Sequence, residues 1–137
     1  MFRVLLVDDE DAIRRLLSII LERKGFTVHT ATSARAAVAL LDRESFDLII
    51  TDLRMETPLA GFEVVDVARH ISPRPAIAIL TAFPVPSCDW KAAGADALIV
   101  KGASPLELPA QMEKLVHLRT AEEAPGPEDM HCVSHQN

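Results

Sequence analysis

Short apolar runs alternate with helical stripes along this chain, and that rhythm leaves few folds open. RVLLV (3–7), FTVHTA (26–31), FDLIIT (46–51), AIAIL (76–80) and ALIV (97–100) read as strands. Between the first two, Ile13, Leu16, Leu17, Ile20 and Leu21 fall at i, i+3, i+4, i+7 and i+8, the stripe of one helix face, stopped by Gly25. SARAAVALLDRE follows with Thr32 or Ser33 as its cap, then GFEVVDVARHI, ended by Ser72-Pro73. The last helix opens at SPLEL: Ser104 caps, Pro105 takes the first helical position, and Glu107 completes a capping box. Pro109 lacks an amide hydrogen and should delay the regular helix by a turn.

Strands alternating with helices imply right-handed crossovers and a parallel sheet. LLV, LIIT and AIAIL are apolar on both faces, as strands covered by helices on both sides must be. The expected architecture is therefore α/β, a doubly wound five-stranded parallel sheet. Such a sheet binds ligands at the carboxyl ends of its strands, where the strand order reverses.

With 137 residues, one domain with a single core is the natural reading. We expect that domain over residues 1–119. The stretch 120–137, with two prolines, a glycine and scattered acids, reads as a disordered tail. A net charge of −6 argues against a nucleic-acid surface, because phosphate binding needs concentrated Lys and Arg. No apolar run approaches the length of a membrane span, and no secretory signal opens the chain. Cys88 and Cys132 follow no CxxC spacing and read as free thiols, and HCVSH (His131, Cys132, His135) near the end is only a weak metal motif. The expected location is the cytoplasm, with no membrane partner.

The polar residues then gather on one edge. Asp8 and Asp9 follow the first strand, Asp52 closes the third, Thr81 the fourth and Lys101 the fifth. A bland reading exists for each alone: acids favour helix N-termini, threonine favours strands, and lysines are usually at the surface. Their coincidence at four strand ends points to a site. Two carboxylates about 4 Å apart repel by about 4 kcal/mol at an effective dielectric of 20, so three call for a cation. Hard oxygen ligands with room for water and phosphate favour Mg²⁺. The chemistry these parts suggest is phosphoryl transfer to a carboxylate, with Asp52 as nucleophile and Thr81 and Lys101 holding the phosphoryl oxygens.

VLLVDDE, DLIITDLRM, ILTA, AGADALIVK and SPLEL, in that order and spacing, resemble a response-regulator receiver domain over about residues 1–118. The resemblance implies a (βα)₅, flavodoxin-like fold and an aspartate phosphorylated by a histidine kinase or a histidine phosphotransfer protein. It makes Asp52 the phosphoacceptor, Asp9 a direct Mg²⁺ ligand, Asp8 a supporting acid and the Arg54 carbonyl a third protein ligand. Thr81 becomes the switch hydroxyl and Lys101 the phosphate-binding lysine. The implied role is a stand-alone signalling domain, a monomer or weak homodimer, that acts through contacts with an unknown downstream protein. It is not an enzyme beyond catalysing its own phosphorylation and dephosphorylation.

Departures from the family pattern mark the output side. Leu98 stands where an aromatic is usual, and Gly102 where proline usually follows the lysine. The loop RMETPLAG is one residue longer than the usual RMPGMDG. Pro84 and Pro86 should leave the fourth helix as a stub beginning near Ser87. We expect the 83–86 loop and that stub to carry the conformational change. Arg54 and Phe83, at the two positions that influence water's approach in the family, imply slow self-hydrolysis. Two alternatives stand beside this reading. One is a degenerate receiver that binds partners unphosphorylated; the other is an aspartate-nucleophile phosphatase, which would want an acid where Arg54 stands.

Overall fold

A computed structural model of the chain describes residues 2–82, 87–102 and 104–121. The chain runs β1 (Arg3–Val7), α1 (Asp11–Arg23), β2 (Thr27–Ala31), α2 (Ala34–Arg43), β3 (Leu48–Asp52), α3 (Ala60–Ala68), β4 (Ala76–Thr81), α4 (Ser87–Ala93), β5 (Ala97–Val100) and α5 (Leu108–Ala121). All four strand pairings are parallel, in the order β2-β1-β3-β4-β5. The order reverses around β1, which places the switch point between the carboxyl ends of β1 and β3. The doubly wound five-stranded sheet expected from the sequence is thus the one observed.

Alternating strand residues feed two cores rather than the single one expected, because helices cover both faces of the sheet. Leu5, Val7, Ile49, Ile77 and Ile79 meet α2 and α3 through Ala37, Leu41, Val64 and Val65. Val4, Leu6, Leu48, Ile50 and Leu80 face the other way, onto Leu17 and Leu21 of α1 and Leu108, Met112 and Val116 of α5. The small Ala76 and Ala78 of β4 lie in that second core, which also holds Met112. Every residue of β3 and β4 is buried, which explains why neither strand shows a polar alternation.

The helix ends follow local chemistry, with three adjustments. Ser33 caps α2, its hydroxyl accepting from Ala36 N at 3.0 Å. Pro109 does delay the last helix: Pro105–Glu107 forms a 3₁₀ turn, and α5 starts at Leu108. Ser104 accepts from Leu106 N at 3.4 Å rather than from Glu107 N, because the tighter turn shifts the amides by one position. α3 stops at Ala68, short of Ile71, and α5 continues to Ala121, past the expected boundary at 119.

α4 is the expected stub, seven residues from Ser87. Trp90 packs half-buried against the α2/α3 core, so it serves as rim packing. The 83–86 loop, Phe83 included, and the expected tail from 122 onward lie outside the described residues.

Candidate functional site at the carboxyl edge of the sheet

Each polar residue at the carboxyl edge is placed by the strand that ends beside it. Asp52 is the last residue of β3, 5% exposed, with Leu53 N donating to its Oδ1 at 2.8 Å. That bond points Oδ2 toward the edge. Asp8 follows β1 and is 0% exposed; its backbone N donates to Ala31 O at 3.1 Å, and Glu10 N donates to its Oδ1 at 2.9 Å. Arg14, one turn into α1, donates to the Asp8 carbonyl at 2.9 Å and so fixes the backbone there. Asp9 is exposed.

Lys101 comes from the far strand. Its backbone N donates to Thr81 O at 2.7 Å, which registers the end of β5 against the end of β4. Its Nζ then lies 3.1 Å from Asp8 Oδ2, 3.2 Å from Asp52 Oδ2 and 3.2 Å from Glu10 Oε1. Thr81 is 1% exposed at the end of β4, level with Val100 of β5. Arg54 is exposed, two residues past Asp52.

The charges interact strongly in this dry corner. Burial pushes the Asp52 carboxyl above its ordinary range, and the neighbouring Asp8 carboxylate pushes the same way; Lys101 and the Leu53 amide oppose them. Burial works against the Lys101 ammonium, yet contact with Asp8 and Asp52 more than offsets it and holds the lysine above its ordinary value. One oxygen remains poorly served. Asp8 Oδ2 is buried and makes no hydrogen bond; Lys101 Nζ is near it without the alignment of one.

Carboxylate oxygens of Asp8, Asp9 and Asp52, one from each, lie within 4.8 Å of one another. Three hard anionic oxygens at that spacing, one of them buried without a hydrogen bond, fit a small divalent cation of the Mg²⁺ type. The arrangement offers a buried nucleophilic carboxylate, a place for a cation, a fixed ammonium and a threonine at the next strand end.

Two contributors escaped the sequence reading. Glu10 sat in an acidic run and was not separated from it, although it is the third partner of Lys101. Glu56, in the loop after β3, accepts from Ala34 N at 3.0 Å and Arg35 N at 3.2 Å at the start of α2. Those amide hydrogen bonds hold its carboxyl below the ordinary range against the opposing effect of burial. No local signal announces a bond between residues this far apart in sequence. Beside Lys101 a groove of about 530 Å³ opens between α1, β5 and the start of α5, lined by Leu16, Leu80 and Ile99 among others.

Fold and edge together define a class: a flavodoxin-like α/β domain with an acidic, lysine-closed pocket at its switch point. Comparison with known proteins narrows that class. The family model of the response regulator receiver domain matches residues 4–113, and the chain belongs to that family. It is 40% identical over 119 residues to the alginate biosynthesis transcriptional regulatory protein AlgB of Pseudomonas aeruginosa, which covers 85% of this chain. The match takes in only 26% of AlgB, so the chain spans about a quarter of that relative's length. Among solved structures, the chemotaxis response regulator CheY4 of Vibrio cholerae is 34% identical, with a TM-score of 0.76 over 84% of this chain and 98% of its own. The response regulator TrrA of Thermotoga maritima, solved in complex with Mg²⁺ and beryllium fluoride, is 33% identical, with a TM-score of 0.74 over 84% of this chain and 99% of its own. Among the described residues no helix is long and apolar enough to cross a membrane.

Proposed function

We infer that this receiver domain accepts a phosphoryl group on Asp52 from the phosphohistidine of a histidine kinase or a histidine phosphotransfer protein, in a Mg²⁺-dependent reaction. The observation that carries the reading is the convergence of buried Asp8 and Asp52 on Lys101, all within 3.2 Å of its ammonium. Two buried carboxylates with one shared lysine form a pocket with surplus negative charge, which suits a divalent ion and a phosphoryl group arriving together.

In the proposed step, Asp52 Oδ2 forms a bond to phosphorus as the P–N bond to the donor imidazole breaks. The imidazole leaves with its electron pair and takes a proton; Asp52 becomes an acyl phosphate. A bound Mg²⁺ would neutralise the phosphoryl oxygens, with Asp8, Asp9, Asp52 and the Arg54 carbonyl to hold it. Leu53 N fixes the carboxylate through Oδ1, so Oδ2, which accepts from Lys101 Nζ at 3.2 Å, is the oxygen turned to the reacting side. Lys101 contributes its ammonium at Oδ2, and Thr81 its hydroxyl at the neighbouring strand end. The apolar groove beside Lys101 gives a donor protein contact area next to the reacting atoms.

The signal then passes through protein–protein contacts, and the reaction takes place in the cytoplasm. TrrA, 33% identical and solved in complex with Mg²⁺ and beryllium fluoride, supports a divalent ion at this site. Incubation with phosphoramidate, a small P–N donor, tests the reading. Intact mass should rise by one phosphoryl group with Mg²⁺, and by none with EDTA or in Asp52→Asn. An unchanged mass in the wild type, or equal gain in Asp52→Asn, refutes it.

A further inference from the structure

The loop from Leu53 to Gly61 carries the Arg54 carbonyl, and it is tied down at two points. At one, Gly61 N donates to Leu53 O at 2.8 Å and closes the loop against the end of β3. At the other, the Glu56 carboxylate spans to α2, taking the amides of Ala34 and Arg35 on its two oxygens. Arg54 lies between these anchors. Inside the loop, Met55 N donates to Thr57 O at 3.0 Å and Ala60 N to Thr57 O at 3.3 Å, and the Met55 side chain packs against the core under α2 and α3. Glu56 adds to these contacts a tie from the loop to a second element, α2.

The α2 side of the tie is firm. Ser33 satisfies Ala36 N, and Glu56 satisfies the two amides before it, so three of the otherwise open amides of that helix start are taken. α2 in turn packs through Ala34, Ala37 and Leu41 into the core shared with Ile49 and Val7. A carboxylate in this position also faces the positive end of the helix dipole, which strengthens the hold.

We propose that Glu56 is a positioning residue for the phosphoryl-transfer site: by fastening the loop to the N-terminus of α2, it holds the Arg54 carbonyl where a divalent ion is bound. The proposal rests on the reading of Asp8, Asp9, Asp52 and Arg54 as the ion's ligands. Glu56 itself touches neither ion nor phosphoryl group. Removing it cuts the loop's tie to α2 and loosens the carbonyl's position, and ion affinity falls while the acids and Lys101 stay in place.

The test is a Mg²⁺ titration followed by amide NMR shifts, with phosphoramidate phosphorylation measured across the same concentrations. Glu56→Ala should weaken Mg²⁺ binding by about 3- to 10-fold, less than the about 10- to 100-fold cost of removing a group bonded directly to a ligand side chain. The Mg²⁺ concentration for half-maximal phosphorylation should rise by the same factor, and the rate at saturating Mg²⁺ should hold. Glu56→Gln keeps one acceptor oxygen and should fall between, which covers the case of an unfolded alanine variant. If both variants bind Mg²⁺ like the wild type, the positioning role is overturned while the site reading survives. If the wild type itself shows no Mg²⁺-dependent shifts, the site reading fails and this proposal with it.

Discussion

Gly61 sits against the backbone of Asp52: a Cβ built on it would collide with the Asp52 carbonyl oxygen and come within 2.8 Å of Leu53 Cα. Helix α3 therefore approaches the end of β3 as closely as glycine permits. Gly61→Ala must push the helix away from the strand that carries Asp52. The cost should be about 1–3 kcal/mol, the usual scale of overpacking a core, read as a lower urea midpoint at constant m-value. Phosphorylation should slow as well, because the displaced strand end moves Asp52 relative to Lys101.

Lys101 neutralises two buried carboxylates at once. Lys101→Ala leaves both facing one another across a dry pocket. Breaking a buried pair costs about 3–5 kcal/mol, and the residual exposure of this lysine places the loss at about 2–4 kcal/mol. Mg²⁺ should restore part of it, since an added cation replaces the lost ammonium. Thermal melts with and without Mg²⁺ read both effects.

The raised pKa of Asp52 has a signed consequence. The folded chain holds that proton more tightly than the unfolded chain does, so between the ordinary carboxylate range and the raised value the folded state binds more protons. Stability of the metal-free protein therefore falls as pH rises through that window. Asp52→Asn removes the charge that burial and Asp8 disfavour, while Lys101 keeps Asp8 and Glu10. At neutral pH without Mg²⁺ the variant should melt higher, by about 3–5 °C for each kcal/mol gained in a chain of this size. The gap should close as pH drops below the raised pKa. A variant that melts lower at pH 7 would contradict the sign.

Gly102 has φ of +106°, and a Cβ there would meet nothing within 4 Å. Any penalty on substitution is backbone strain alone. Gly102→Ala should cost about 1–2 kcal/mol in urea unfolding. Gly102→Pro, which restores the residue usual in the family, should cost more, since proline cannot adopt that φ.

The contrast between proline and Gly102 shows where the sequence was readable. Strand ends were legible because β3 and β4 are buried on both faces, so an apolar run stopped by Asp52 or Thr81 marks its own limit. The convergence on Lys101 followed from the parallel order, which brings every strand's carboxyl end to one edge. What stayed hidden depends on distance in sequence or on backbone shape. The Glu56 tie to Ala34 and Arg35 crosses from one loop to another, and no periodicity encodes it. Leu16 fits the helical stripe of α1 but is 46% exposed, because the groove beside β5 leaves that part of the face uncovered. The left-handed turn at Gly102 was visible only as a departure from the family's proline, with its direction unstated.

Transfer of a phosphoryl group to Asp52, with the help of a divalent ion held by the neighbouring acids, is tested most directly by trapping the acyl phosphate. Tritiated borohydride reduces an acyl phosphate to the alcohol, so treatment after phosphoramidate should convert residue 52 to labelled homoserine. Peptide sequencing should find that label at position 52, and only when Mg²⁺ was present. Label at another residue, or the same label at 52 in EDTA, would contradict it.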